Sequence, residues 1–136
     1  MELALYHPQY GYYVRPVEDP TQERIGWSGD FYTSSDVHPI LGQALAKQAQ
    51  QLDACLGHPD PFTVVEMGPG KGLLARDFLT ACQNAPANLS ERLRYILIER
   101  SASMRAQQHE HVAPWIGRAG HVAWLDRLED LPPGSV

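Results

Sequence analysis

The stretch Phe62–Leu74, FTVVEMGPGKGLL, constrains the chain more than any other. Thr63–Met67 is apolar and rich in β-branched residues, the pattern of a strand covered on both faces. Gly68, Gly70 and Gly72 follow at alternate positions, so the backbone can turn sharply and leave bare main chain for a ligand. A helix is predicted from Leu73 to about Gln83, its free N–H groups aimed at that ligand.

The spacing narrows the ligand. A pyrophosphate loop would read G-x-G-x-x-G, whereas this one reads G-x-G-x-G with Glu66 two positions before the first glycine. A carboxylate there repels phosphate and accepts hydrogen bonds from an ammonium group. The pattern therefore favours a zwitterionic nucleoside such as S-adenosylmethionine over a dinucleotide. Lys71 lies within the loop, but Gly72-Leu73 follow it, so no Ser or Thr is placed to hold magnesium and a nucleotide triphosphatase is disfavoured.

Strands and helices alternate around this loop. Met1–Tyr6 is predicted as the tail of a helix halted by Pro8, and Tyr10–Tyr13 as a turn running into an extended, aromatic segment. Arg15–Trp27, with Pro16 and Pro20, reads as a loop. A helix is expected from about Ile40 to Leu56, with Asp36 as its N-cap and Leu41, Leu45, Gln48 or Ala49, and Leu52 on its apolar face. The helix after the glycines would use Leu73, Leu74, Phe78 and Leu79. Asn84–Ser90 reads as a surface loop, Leu93–Glu99 as a second strand, Ala102 to about His111 as a helix capped by Ser101, Pro114–Gly120 as irregular, and Val122–Trp124 as a third strand. The alternation implies a parallel, doubly wound, Rossmann-like α/β sheet. Residues 1–61 would form a segment leading into the core, and residues 62–136 the first half of a nucleoside-binding domain.

Glu99 ends the second strand, where ligands of parallel sheets bind, and its two oxygens can accept from both ribose hydroxyls. Asp126, just past the third strand, could reach an adenine amino group or stand as a solvated loop acid. His109 and His111 lack the Cys or carboxylate partners of a metal site, and Ser34 and Ser35 lack the G-x-S-x-G turn of a hydrolase nucleophile. Cys55 and Cys82 form no C-x-x-C pair and are expected as free thiols. A net charge of −5 gives no sign of general nucleic-acid binding, and no apolar run reaches the ~18 residues of a membrane span.

Four stretches, in order, carry a resemblance: LYHPQYGYY (Leu5–Tyr13), GDFYTSSDVHPILGQALA (Gly29–Ala46), VVEMGPGKGLLARDFL (Val64–Leu79) and IERSASMRAQQ (Ile98–Gln108). Together they resemble the MidA-like family of class I S-adenosylmethionine-dependent methyltransferases, which includes the mitochondrial complex I assembly methyltransferase. The resemblance implies S-adenosylmethionine as cofactor, with Glu66, Gly68, Gly70 and Gly72 at its methionine and backbone side and Glu99 at its ribose. It also implies that Gly29, Asp30 and Thr33, in the G-D-F-x-T segment, face the cofactor pocket. The implied partner is a protein whose arginine is methylated, such as a complex I subunit, in the cytoplasm of a bacterium or the mitochondrial matrix of a eukaryote. Ser35 stands where the family often has Pro, Lys71 where it often has Arg, and Met67 where it has Leu. The family's N-E-x-x-D-A-L-P stretch and its acceptor-facing insertion do not follow, so the resemblance implies a cofactor-binding fragment with its catalytic acids elsewhere. A non-catalytic assembly protein that keeps the fold, and a nicotinamide oxidoreductase, are the competing readings. Cofactor-independent rescue by a Gly70→Val variant would favour the first, and a preference for NADH the second.

Overall fold

The computed structural model describes residues 1–15, 24–117 and 121–132. Pro16 and Pro20 of the expected loop, residues 118–120 and the last four residues lie outside the described residues. The elements are α1 (Glu2–Tyr6), α2 (Ser34–Val37), α3 (Ile40–Cys55), β1 (Phe62–Met67), α4 (Leu73–Cys82), α5 (Leu89–Arg92), β2 (Leu93–Ile98), α6 (Ala102–Val112) and β3 (Val122–Leu125). All three strands are parallel in the order β1-β2-β3, in register from Phe62 opposite Leu93 and from Tyr95 opposite Val122. This is a partial Rossmann-like fold built by two successive β-α-β units, and α4 and α6 pack on the same side of the sheet.

Side-chain alternation divides the sheet. Phe62, Val64, Leu93, Tyr95, Leu97, Val122 and Trp124 share a core with Ala75, Phe78, Leu79 and Cys82 of α4, Val112 of α6 and Ala46 and Ala49 of α3. Residues of the opposite parity, among them Val65, Ile96 and Ile98, take no part in that cluster.

The packing of α3 corrects the expected face. Its buried residues are Gly42, Ala46, Ala49 and Asp53, whereas Leu41, Leu45 and Leu52 are 39%, 42% and 56% exposed. Small residues carry the contact because α3 and α4 approach closely. A Cβ built on Gly42 would stand 2.6 Å from Asp77 Cβ and 2.9 Å from the Phe78 backbone nitrogen. At the far end, buried Asp53 takes a bidentate bond from Arg92 (Nη1–Oδ1 2.9 Å, Nη2–Oδ2 2.8 Å), which ties α3 to the start of β2.

Three further expectations change. Asp36 does not cap α3, whose N-cap is Pro39; it is the third residue of α2, in a capping box with Thr33. The Asn84–Ser90 stretch is not a surface loop but a 3-10 turn (Pro86–Asn88) followed by α5, anchored by fully buried Leu89. Tyr10–Tyr13 forms the expected turn but does not run into an extended segment: the Tyr12 and Tyr13 amides donate to the Ala4 and Leu5 carbonyls, folding the turn back on α1. Gly11 permits that fold, since a Cβ there would lie 2.4 Å from the His7 amide nitrogen.

Candidate functional site

The glycine turn leaves β1 with three left-handed residues, Gly68 (φ 65°), Gly70 (φ 53°) and Gly72 (φ 85°). A side chain at any of them would be strained, and the three serve different ends. No atom lies within 4 Å of a Cβ built on Gly68 or Gly70, so their surfaces face open space. At Gly72 a Cβ would press on Gln108 at 3.2 Å, so this glycine lets α4 start close to α6.

A cavity of about 370 Å³ opens over the carboxyl ends of β1 and β2, a size typical of small-molecule sites. Glu66, Gly68, Gly70 and Lys71 line one side and Glu99 another. Thr33, Ser34, Ser35 and Asp36 of the α2 turn form a third wall, and Tyr6 and Tyr13 of the N-terminal turn also reach the cavity. The glycine turn, the two carboxylates and Thr33 thus converge as the sequence implies. Gly29, Asp30 and Gly72 do not line it. Asp30 is exposed and accepts a 2.7 Å bond from the Tyr12 hydroxyl, so it ties the turn at residues 24–31 to the N-terminal turn. That bond, with burial the larger cause, pushes the Tyr12 phenol up to about 12.

Glu66 and Glu99 are held differently. The buried Tyr95 hydroxyl, one strand over on the same face, donates to Glu66 Oε2 at 2.8 Å. Burial raises the Glu66 carboxyl above its ordinary range, and the Tyr95 bond opposes that rise only in part. Tyr95 itself is raised, by burial first and then by the Glu66 charge, so it stays a donor at any physiological pH. Glu99 is 8% exposed and accepts from the Ser101 backbone N–H through Oε1 at 2.7 Å.

Gln108, fully buried on α6, joins the parts. Its Nε2 donates to the Gly70 carbonyl at 2.7 Å and lies 3.4 Å from Glu99 Oε2, while its Oε1 accepts from the Trp124 indole at 2.8 Å. One amide therefore fixes the glycine turn and braces the strand-end acid. The sequence placed Gln108 at the end of a motif without assigning it a task. A buried amide on a helix that follows the acid was the available signal.

The other candidates are engaged elsewhere. Arg105 donates to Asp126 Oδ1 at 2.6 Å and to the Glu99 carbonyl, so Asp126 sits outside the cavity lining. The His109 ring stacks on Trp124 at 4.0 Å, and His111 Nδ1 lies 3.0 Å from the Lys71 carbonyl. Among the described residues no group of three His, Cys, Asp or Glu could hold a metal ion. Both cysteines are free, and no helix among the described residues is long and apolar enough to cross a membrane.

Lys71 Nζ stands 2.6 Å from Asp36 Oδ1, with side chains 12% and 2% exposed. Asp36 Oδ2 accepts from the Thr33 N–H and hydroxyl, each at 2.8 Å. Burial alone would raise the Asp36 carboxyl, but the bonds from Lys71 and Thr33 outweigh it and hold it below the usual range.

A glycine turn opening on bare backbone, with Glu66 near the end of β1 and Glu99 just past the end of β2, makes a candidate nucleoside site in a Rossmann-like sheet. The chain belongs to the family described as "Putative S-adenosyl-L-methionine-dependent methyltransferase", whose model matches residues 40–136. It is 28% identical over 98% of its length to the protein arginine methyltransferase NDUFAF7 homolog, mitochondrial, of Drosophila melanogaster, and covers 33% of that protein. It is 35% identical to the mitochondrial NDUFAF7 arginine methyltransferase of Mus musculus over 58% of this chain and 17% of that one. A crystal structure of a COG1565 superfamily member from Burkholderia thailandensis, bound to S-adenosyl-homocysteine, superposes with a TM-score of 0.69 at 31% identity, over 93% of this chain and 31% of that one. The chain thus spans about a third, or less, of the length of these proteins.

The residues fit an S-adenosyl nucleoside. Gly68 and Gly70 offer unobstructed backbone, Glu66 lines the cavity with Oε2 bonded to Tyr95, and Glu99 lines it past the next strand end, so the two carboxylates would be available to an ammonium group and to ribose hydroxyls.

Proposed function

We propose that the protein carrying this chain transfers a methyl group from S-adenosylmethionine to an arginine of a protein substrate, and that this chain supplies the methyl-donor half of the site. The observation that carries the reading is the convergence of Glu66, the Gly68–Gly70 turn and Glu99 on one cavity. When bound, the cofactor supplies an electrophilic methyl on a sulfonium. Glu66 holds the ammonium end, oriented by Tyr95, and Glu99 holds the ribose hydroxyls, braced by Gln108 and Ser101. The Thr33–Asp36 wall and the Tyr6 and Tyr13 rings limit water around the reacting end. Transfer then needs an in-line nucleophile ~3 Å from the methyl carbon, which is a matter of alignment more than of acid–base chemistry. The residues that would align a guanidinium are assigned to sequence outside this chain, since relatives named as arginine methyltransferases are about three times its length.

Tyr6, Tyr13 and Thr33–Asp36 of the first 61 residues act as the outer wall, and Glu66, the glycine turn and Glu99 as the cradle. A complex I subunit is the proposed acceptor, and the bacterial cytoplasm or the mitochondrial matrix the proposed place of action; relatives named as mitochondrial support the latter for a eukaryotic source. Incubation of the full-length protein with methyl-labelled S-adenosylmethionine and a lysate from its own source tests the reading. Label on arginine in a respiratory subunit is expected. Absence of label on any protein arginine, with the cofactor bound, would favour a non-catalytic assembly protein that keeps the fold.

A further inference from the structure

The cation of the glycine turn is engaged by a neighbour. A glycine turn, a helix start and a lysine together usually attract phosphate. Here Lys71 reaches across to Asp36 at 2.6 Å, and both side chains are nearly buried. The acceptor is rigid, because Asp36 is fixed through its other oxygen by Thr33 in the α2 capping box. Its backbone carbonyl also lies 3.4 Å from the Trp27 indole nitrogen, which donates to it. Among the described residues, the charged side chains that line the cavity are Asp36, Glu66, Lys71 and Glu99, three acids against one base.

We infer that Asp36 is a specificity residue: it neutralises Lys71 so that the cavity selects a cationic sulfonium nucleoside over nucleotides carrying phosphate, and over the uncharged thioether left once the methyl has gone. The inference rests on the methyl-donor reading given above. With all four groups ionised the lining among the described residues carries a net charge of −2, three negative and one positive. Loss of the Asp36 charge reduces this to −1 and leaves the Lys71 ammonium facing the bare turn without that carboxylate. The sulfonium charge distinguishes donor from demethylated product. A fixed charge several ångströms away in a partly solvated pocket changes such a preference by roughly three- to tenfold.

The test uses the full-length protein and isothermal titration at one low ionic strength, with S-adenosylmethionine, S-adenosylhomocysteine and ADP as probes. Wild type is expected to bind the methylated cofactor and to show no ADP binding. Asp36→Asn is expected to lower the ratio of donor to product affinity by about three- to tenfold and to admit ADP. Lys71→Met is expected to move that ratio the opposite way, and Asp36→Asn with Lys71→Met to exclude ADP again. The opposed signs keep the inference testable if one variant folds poorly, which circular dichroism reports. An unchanged ratio and no ADP binding in Asp36→Asn, with wild type still binding S-adenosylmethionine, overturns the charge filter and leaves the methyl-donor reading standing. Wild type that binds no S-adenosylmethionine overturns both.

Discussion

Glu66 sits where function and stability pull apart. Its carboxyl is desolvated by the sheet around it, and the Tyr95 hydroxyl at 2.8 Å offsets only part of that cost. Because its folded-state pKa is raised above the ordinary 4.5, the folded protein favours the proton. The stabilising contribution is therefore complete below the unfolded pKa and is lost as pH rises through the folded one. At neutral pH the ionised group is a burden until an ammonium partner arrives. Glu66→Gln should therefore raise the melting temperature of the cofactor-free protein at pH 7.5 by a few degrees. It should also weaken S-adenosylmethionine about ten- to hundredfold, the scale of a charge-assisted hydrogen bond. Melts and titrations on the same preparation check both, and a variant less stable than wild type would contradict the argument. At this scale the placement of Glu66 and Glu99 at the cavity was legible, because one stands two residues before the first glycine and the other follows the second strand, positions set by chain order alone. Tyr95 and Gln108 were not, because what a buried side chain reaches depends on which strand or helix lies beside it. The assignment of Asp36 as the cap of α3 failed for a similar reason: Thr33, three residues earlier, provides a stronger helix start.

At the scale of elements, the strands and the glycine turn followed from the sequence, whereas the buried face of α3 did not. Its leucines and its small residues form two adjacent stripes, and periodicity favours the larger side chains. The structure buries Gly42, Ala46 and Ala49 because α4 comes too close for anything bigger. Gly42→Ala separates the two effects. Alanine gains up to ~1 kcal/mol of helix propensity, yet its Cβ would meet backbone at 2.9 Å, and overpacking costs about 1–3 kcal/mol. A net loss of stability in chemical denaturation is expected, and a gain would show that the helices sit further apart. The same contrast separates the thiols. Cys82 is buried at the end of α4 and burial pushes its thiol up to about 11, whereas Cys55 at the end of α3 is exposed. Native alkylation at pH 8 should therefore label Cys55 alone, with Cys82 reacting only on unfolding. Mass spectrometry of the labelled peptides reads the outcome.

Across the whole molecule, the described sheet is three strands wide with β1 and β3 at its edges. Its helices α3, α4 and α6 share one core, while Ile96 and Ile98 belong to the other face. Relatives about three times as long have the material to pair those edges. Within the described residues the N-terminal turn, α2, the glycine turn and two strand ends shape one cavity. We propose that this cavity takes a sulfonium nucleoside. Calorimetric titration of the full-length protein with S-adenosylmethionine tests it most directly, with Gly70→Val and Glu99→Ala run beside the wild type. One cofactor per chain is predicted, with binding lost when the Gly70→Val side chain blocks the turn and weakened at least tenfold without the Glu99 carboxylate. No binding at millimolar cofactor, or binding that neither variant alters, would contradict it.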